Sequence, residues 1–582
     1  MLDRVKKSSN LLNICLIILV GFGAYFRGLR NQFLGDDSYQ IVVNPVVHSI
    51  SNIRLFFEGG TFYNVNQIPG KGPLVGTYYR PLMTTVFSTL YTVFGAHPFY
   101  FHLLQLLLFI GSSLLLFLIL RYILSPSLSL FLTLIFLVHP INSQIVFALA
   151  SMQDTLCLFF GMFALWTALK FTSIKSLVVV VVSLLLAMFS KESSIVFILV
   201  VGLLLYWFGQ RKRFYSFIAF MIVPIVVYLT LKIHAVGLFG TTSGNAPIDR
   251  LSLAGRLLTT PSILQFYIFK LLSPFKLAAT YYWTYPTFSF RHVLIPLVAD
   301  LLFLAVFVYL GIVVRRRAPK NVFFMYLFFA VWFIAGMMLI VQIIPLDMTA
   351  CEAWFYMPMI GLLGMGGIAL ATFKISIKPR LLQTICVILL SLLVARSMVR
   401  ASDWSNISTL TYHDIKSSEQ NYSYDDIVGY DQYQKGNYKL ARSYGEQSVK
   451  LFPLYINNLH LGVEDQALND YASAAKAYND ALKYSHDSLA YENLGSLSLF
   501  YGIPETNIKF LIQSLKMYPT DGSLWLDLAV LESKVGNSDV AKGALQQAIN
   551  YGARFPKSIY DGIADNKPYV IPLASGQTLN IP

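Results

Sequence analysis

The sequence predicts an all-α chain in two parts, a polytopic membrane helix bundle of about eleven spans followed by an α-solenoid. Three observations predict it. Of 582 residues, 56% are hydrophobic and only 13% are charged, well outside the range of soluble domains. Apolar runs close to the ~20 residues needed to cross a bilayer recur through the first 400 positions. Beyond Asp403 the runs give way to amphipathic segments that repeat every 33 to 34 residues.

The eleven runs are 10 to 29, 99 to 120, 127 to 145, 154 to 171, 174 to 190, 193 to 209, 214 to 233, 293 to 314, 322 to 344, 354 to 373 and 381 to 397. The first lacks a small-residue cleavage site and reads as an uncleaved span. A cytoplasmic N-terminus places Arg4, Lys6, Lys7, Arg121, Lys170, Lys175, the stretch Gln210 to Arg213, the stretch Arg315 to Lys320 and the stretch Lys374 to Arg380 on the inside, as the positive-inside rule requires. Arg396 and Arg400 are the exceptions. The same alternation puts Asp36, Asp37, Glu58, Asp154, Glu192, Asp249, Asp347 and Glu352 on the outer face, leaving Asp3 inside and Asp300 within a span. At Ser151 to Asp154, Ser190 to Glu192 and Ala350 to Glu352 the connections are too short to hold a charge far from the membrane. Those groups are expected to converge on a shared polar cavity.

Residues 1 to 400 carry 30 Lys and Arg against 10 Asp and Glu, whereas 401 to 582 carry 14 against 20, so two different solvents are implied. The cationic surplus fits loops facing an anionic leaflet and is no sign of nucleic acid as a partner. Cys15, Cys157 and Cys386 lie in apolar runs and Cys351 stands alone, which excludes a disulfide framework or a CxxC metal site. Two outer segments, 30 to 98 and 234 to 292, are long enough to fold back as membrane-skimming helices, around 80 to 94 and 263 to 272.

In the repeats, Gly429, Gly462, Gly495 and Ala529 mark the small position of each first helix, and Gly436, Asn469, Gly502 and Gly536 mark the turns. Trp525-x-x-Leu528-Ala529 matches the opening of a tetratricopeptide repeat. Four units starting near Tyr422, Tyr455, Ser488 and Gly522 read that way, and such an array presents a concave surface to a peptide or protein partner. The expected domains are 1–400, a membrane domain; 401–421, a linker; 422–556, four exoplasmic repeats; and 557–582, a tail.

Chemistry is expected at the outer face. Adjacent acids at a membrane edge are costly, since each disfavours ionisation of the other and both resist losing water. Asp36 and Asp37 are therefore kept only where they meet water or a reactive site. Sugar transfer from a lipid phosphate needs a carboxylate to take the acceptor proton and cations to stabilise the departing phosphate. Asp36 or Asp37 fits the base, and Arg80 and Lys191 fit the phosphate, with Lys270 and Lys276 behind them. Snorkelling beside Tyr79 explains Arg80 equally well. His139 before Pro140 fits either a sugar contact or a structural stop. His97, His102 and His139 show no metal-ligand spacing, so a divalent metal has no sequence support.

The ordered set Gly35-Asp-Asp-Ser-Tyr-Gln-Ile-Val-Val-Asn44, Tyr79-Arg-Pro-Leu82, His139-Pro-Ile, Ser151-Met-Gln-Asp154, Lys191-Glu192 and Glu352-Ala-Trp-Phe-Tyr-Met-Pro358 resembles the transmembrane and tetratricopeptide-repeat-containing O-mannosyltransferases and their bacterial relatives, in the GT-C glycosyltransferase superfamily. The resemblance runs over nearly the whole chain. It implies a GT-C-like bundle and inverting transfer of a sugar, typically mannose, from a polyprenyl-phosphate donor to Ser or Thr hydroxyls of a protein acceptor on the outer or lumenal side. By the same resemblance Asp36 is the base with Asp37 in support, and Arg80, Lys191, Glu192, Asp154, His139 and Glu352 serve the donor. Gln144, Gln153 and Ala353 depart from the family pattern, which usually has Glu, Arg and Arg there, so Lys191 and Arg80 carry more of the positive charge. A compact chain with a single repeat array favours a bacterial plasma membrane over the endoplasmic reticulum. The competing reading is a non-catalytic membrane scaffold or transporter that presents the repeats to an envelope or lumenal partner; such a protein has no need of the acid pair.

Overall fold

The computed structural model describes residues 10–62, 74, 76–208, 211–237, 244, 246–373, 378–572 and 578–581. Asp3, Arg4, Lys6, Lys7, Gln210, Lys374 and most of the Gly-rich stretch after Gly60 lie outside the described residues. The chain divides into two compact units, 1–419 and 420–582.

Unit 1 is all helix. In chain order it holds α1 (Asn10–Tyr25), α2 (Ile53–Glu58), α3 (Pro81–Phe94), α4 (Pro98–Leu120), α5 (Pro126–Val138), α6 (Ser143–Phe147), α7 (Met152–Lys170), α8 (Ser176–Ser190), α9 (Ile195–Trp207) and α10 (Arg211–Val236). There follow α11 (Leu253–Leu272), α12 (Ile295–Arg317), α13 (Lys320–Met338), α14 (Tyr356–Thr372), α15 (Pro379–Asp403) and α16 (Ile407–Asp414). Prolines open α3, α4, α5 and α15, at a position whose N–H has no helical acceptor in any case.

Among the described residues eight helices are long and apolar enough to cross a membrane: Asn10–Arg30, Pro98–Leu120, Leu149–Lys170, Arg211–Val236, Phe290–Arg317, Lys320–Met338, Glu352–Thr372 and Arg380–Asp403. The polytopic class stands, while three of the eleven expected spans take another form. The third is a bent pair, Pro126–Val138 and Pro140–Phe147, turned by 49°. Pro140 supplies no N–H to continue α5, and the polar groups freed at the bend are met locally, Asn142 Nδ2 donating to the Phe136 carbonyl at 2.8 Å. The fifth and sixth are the shorter helices α8 and Glu192–Trp207. Both stop at Lys191, whose extended backbone (φ −159°, ψ 146°) breaks the run.

Close helix contact rests on small residues. A Cβ at Gly361 on α14 would stand 2.5 Å from the Phe333 backbone nitrogen of α13, so only glycine lets these backbones meet. The fold-back segments hold α2, α3 and α11. Residues 401–419, expected as a linker, are instead part of unit 1: α15 runs to Asp403, and α16 anchors through Asp414, which is fully buried.

Unit 2 contains four helix pairs: α17 (Tyr422–Gln434) with α18 (Tyr438–Leu451), α19 (Tyr455–Ala467) with α20 (Tyr471–Leu482), α21 (Ser488–Ser498) with α22 (Pro504–Met517), and α23 (Gly522–Lys534) with α24 (Ser538–Asn550). Asn421, Asp487 and Asp521 cap the first helices of three pairs with side-chain oxygens. The turn inside each pair needs a positive φ, supplied by Gly436, Asn469, Gly502 and Gly536. The residues after 556, expected as a tail, form α25 (Lys557–Asp565) and an antiparallel pair, β1 (Tyr569–Pro572) with β2 (Thr578–Ile581). Ile559, Ile563, Tyr569 and Ile581 bury themselves in one core with Leu528, Leu531 and Leu545, closing the end of the array as a cap.

Candidate functional site

The acid pair sits on a tight turn after the first span. Gly35, at φ +50°, turns the chain, and Asp36 and Asp37 open a short helical segment. Successive helical residues diverge by about 100°, so the two carboxylates part company. Asp36 is exposed. Asp37 is buried, its Oδ2 accepting from the Leu34 N–H at 3.0 Å and its Oδ1 from the Ala150 N–H at 2.7 Å. Asp37 thereby ties the turn to the connection ahead of α7. Burial is the main cause that pushes its carboxyl up to about 7; the Leu34 and Ala150 N–H groups pull the other way, and the Asp36 charge adds to the rise. Asp36 is also raised, by the protein packed around it and then by the Asp347 carboxylate, with Arg80 acting in the opposite sense. Crowding between the two acids and loss of water were both expected to perturb them, and loss of water is the larger cause for each.

Cations line the same end of the bundle. Lys191 closes α8 and places its Nζ 2.6 Å from Oδ1 of Asp154, in the first turn of α7. Arg80, immediately before α3, lies with one terminal guanidinium nitrogen 3.7 Å from Glu192 Oε2 and its Cζ 4.0 Å from the centre of the Tyr78 ring. The Arg80 side chain is 9% exposed, so it is held inward and does not snorkel. Its Nε has no hydrogen-bond partner. Tyr78 donates to Asp347 Oδ2 at 2.8 Å. Asp36, Asp37, Arg80, Asp154, Lys191 and Glu192, scattered over 157 positions, are thus linked by contact or charge with Tyr78 and Asp347.

Two expected site residues point elsewhere. His139 is buried at the α5–α6 bend. Its Nδ1 accepts from the Ile141 N–H at 3.2 Å and its Nε2 faces the Leu271 carbonyl at 3.0 Å. Both ring nitrogens are spent on backbone, which leaves neither for a sugar or a phosphate: the histidine is a structural stop. Glu352 is fully buried and turned toward the second fold-back segment, Oε1 accepting from the Ala278 N–H at 2.8 Å and from the Tyr281 hydroxyl at 2.7 Å. Gln144 sits close by, its Oε1 accepting from the Ala353 N–H at 3.1 Å while its Nε2 donates to the Ala279 carbonyl at 3.1 Å. A glutamate there could not donate. Further along, Arg400 NH1 lies 2.6 Å from Asp414 Oδ1, both side chains fully buried, and Asp414 Oδ2 accepts from the Ala279 N–H at 2.7 Å. Burial works against the Asp414 charge, and Arg400 nonetheless holds its carboxyl below the ordinary carboxylate range.

Tyr78 and Asp347 are the members that residue patterning missed. Asp347 was among the outer-face acids but was given no role of its own, and the tyrosines near 78 fit sugar stacking less well than an interfacial aromatic belt. Among the described residues no group of three or more His, Cys, Asp or Glu side chains is gathered to hold a metal ion.

The fold and this cluster define a polytopic α-helical membrane protein with a water-open acid, a buried acid and two cations at one end of its bundle. No family model matches the chain. Protein O-mannosyl-transferase TMTC1 of Homo sapiens is 32% identical over 146 residues, 23% of this chain and 15% of that protein. The Mus musculus protein of the same name is 32% identical over 146 residues, covering 23% of this chain and 14% of its own length. The chain therefore spans well under two thirds of either relative.

Proposed function

We propose that the protein is a membrane glycosyltransferase that moves a sugar, mannose being the first choice, from a polyprenyl-phosphate donor to Ser or Thr hydroxyls of a protein on the outer or lumenal side of a membrane. The observation that carries this reading is the division of labour in the acid pair. Asp36 is open to an incoming hydroxyl and has a raised proton affinity, whereas Asp37 spends both oxygens on positioning the turn. The name of the partial relatives supports the same class.

Asp36 takes the proton of the acceptor hydroxyl as its oxygen attacks the anomeric carbon. The bond to the phosphate oxygen breaks in line, which inverts that carbon, and the lipid phosphate leaves with the electron pair. Arg80, and Lys191 with two ammonium protons left beside Asp154, stabilise the growing negative charge. Glu192 and Asp154 hold those cations in place. The repeats of unit 2 serve as a surface for the acceptor or for a protein partner. On this reading the N-terminus is cytoplasmic, the acids and the repeats lie outside, and a bacterial plasma membrane is the favoured setting.

The test uses membranes carrying the full chain, supplied with radiolabelled polyprenyl-phosphate mannose. Label should enter protein with the wild type and fall about 10²–10⁴-fold with Asp36→Asn, the usual worth of a general base. Equal labelling by the variant, or none by the wild type with any polyprenyl-phosphate hexose, overturns the reading.

A further inference from the structure

The opposite end of the unit 1 bundle carries a second site. α7 runs from Asp154 to Lys170, so its far end lies ~24 Å along the helix axis from the acid cluster. There the ends of α4, α7 and α9 and the start of α13 leave an apolar cavity of about 90 Å³, lined by Tyr122, Ala168, Leu169, Leu204, Leu205 and Val322 among others. That is several times the ~10–15 Å³ that one water needs, and its lining is mostly apolar, with Tyr122 and Asn321 at its polar side. It has room for the end of a hydrocarbon chain.

Cations neighbour its lining residues in the chain: Arg121 precedes Tyr122 and donates to Asn10 Oδ1 and the Leu124 carbonyl, Lys170 follows Leu169, and Lys320 stands two positions before Val322. Lys170 lies over the Trp166 ring at 4.5 Å and Lys320 over the Phe324 ring at 5.9 Å, their stems on apolar surface and their ammonium groups at its border. Behind the cavity Arg213 donates to the Ala168 carbonyl at 3.3 Å. Segments 121–125, 168–176, 205–213 and 312–323 together hold ten Lys and Arg and no Asp or Glu.

From this geometry we infer a binding site for an anionic glycerophospholipid, one acyl chain entering between α4, α7, α9 and α13 and the phosphate resting among Arg121, Lys170 and Lys320. A basic pocket between helix ends at a membrane interface recognises an anionic headgroup by charge, and the apolar hollow adds a requirement for a chain. A lipid bound there joins four helix ends, three of whose helices continue to or beside the acid cluster, and it stabilises the bundle without touching a donor.

The experiment reconstitutes the full-length protein in nanodiscs of equimolar phosphatidylglycerol and phosphatidylcholine and weighs the lipid that stays bound, by native mass spectrometry. The wild type should retain phosphatidylglycerol over phosphatidylcholine by at least about fivefold, as expected of several cations near a headgroup. Val322→Trp, at a half-buried position, should fill the hollow and abolish retention. A variant combining Arg121→Gln, Lys170→Gln and Lys320→Gln alters only the rim and should bind the two lipids alike. Retention at wild-type level by Val322→Trp, an undiminished preference in the rim variant, or retention of a polyprenyl phosphate in place of phosphatidylglycerol overturns the inference. Should Val322→Trp fail to fold, the rim variant decides.

Discussion

Asp414 in unit 1 and Glu464 in unit 2 are buried in opposite ways. Asp154 and Asp414 lie against Lys191 and Arg400, the half-buried Glu192 lies against Arg80, and in unit 2 Asp465 likewise meets Arg442 at 2.9 Å. In unit 2, Glu464 is buried with neither carboxylate oxygen hydrogen-bonded, seated where a Cβ at Gly429 or Gly445 would strike it. A repeat array in water can neutralise such a group with a proton. At Asp414 the bundle instead supplies a counter-ion, which offsets a desolvation that costs an unpaired buried charge several kcal/mol. Against that background the acid tandem stands apart. Asp37 is buried with only backbone donors, and Asp36 faces water with Asp347, another acid, as its nearest charged influence. An arrangement that stores proton affinity without neutralising it suits a base and does nothing for stability.

The comparison can be broken at its strongest point first. Arg400→Leu leaves Asp414 buried without its cation, and thermal or denaturant unfolding should show a loss of about 3–5 kcal/mol. Unchanged stability would mean that counter-ions do not govern unit 1. A smaller effect is expected in unit 2. Burial first, then Asp426 and Asp465, push the Glu464 carboxyl up to about 8. Because the folded pKa lies above the unfolded one, the protonated acid favours folding below about pH 4, and that contribution is lost as the pH rises through 8. Glu464→Gln should erase the dependence and stabilise unit 2 on the order of 1–3 kcal/mol at pH 9 while changing little at pH 4. Smallest of all, Arg54→Ala removes a surface pair between an exposed Arg54 and a half-buried Glu58 and should leave Tm nearly where it was, for such a pair is screened by water.

What the sequence made legible followed from periodicity and solvent. The four repeat starts at Tyr422, Tyr455, Ser488 and Gly522 were readable because glycine turns and small positions recur at a fixed interval, and these are where α17, α19, α21 and α23 begin. Charge alternation gathered Asp36, Asp37, Arg80, Asp154, Lys191 and Glu192 on one side, and contacts join Lys191 to Asp154 and Arg80 to Glu192. Long-range contacts were out of reach. Asp414 reads as linker because the contact that ties it to the fold-back segment, the Ala279 N–H, lies 135 residues away and has no local mark. His139 and Glu352 carry the right chemistry, and only the Leu271 carbonyl and the Ala278 N–H show where that chemistry is spent. Hydropathy averages over single breaks and so drew full spans across Pro140 and up to Lys191, although His139-Pro140 was legible as a structural stop and the fifth span as short.

The central claim is that Asp36 acts as the base and that its charged surroundings set the pH at which it works. Asp347 raises its proton affinity, so transfer should rise with pH as Asp36 loses its proton, and Asp347→Asn should move that acidic limb of the kcat/KM profile to lower pH. A limb that stays in place, or moves to higher pH, in an Asp347→Asn protein that still folds and still transfers sugar contradicts the account.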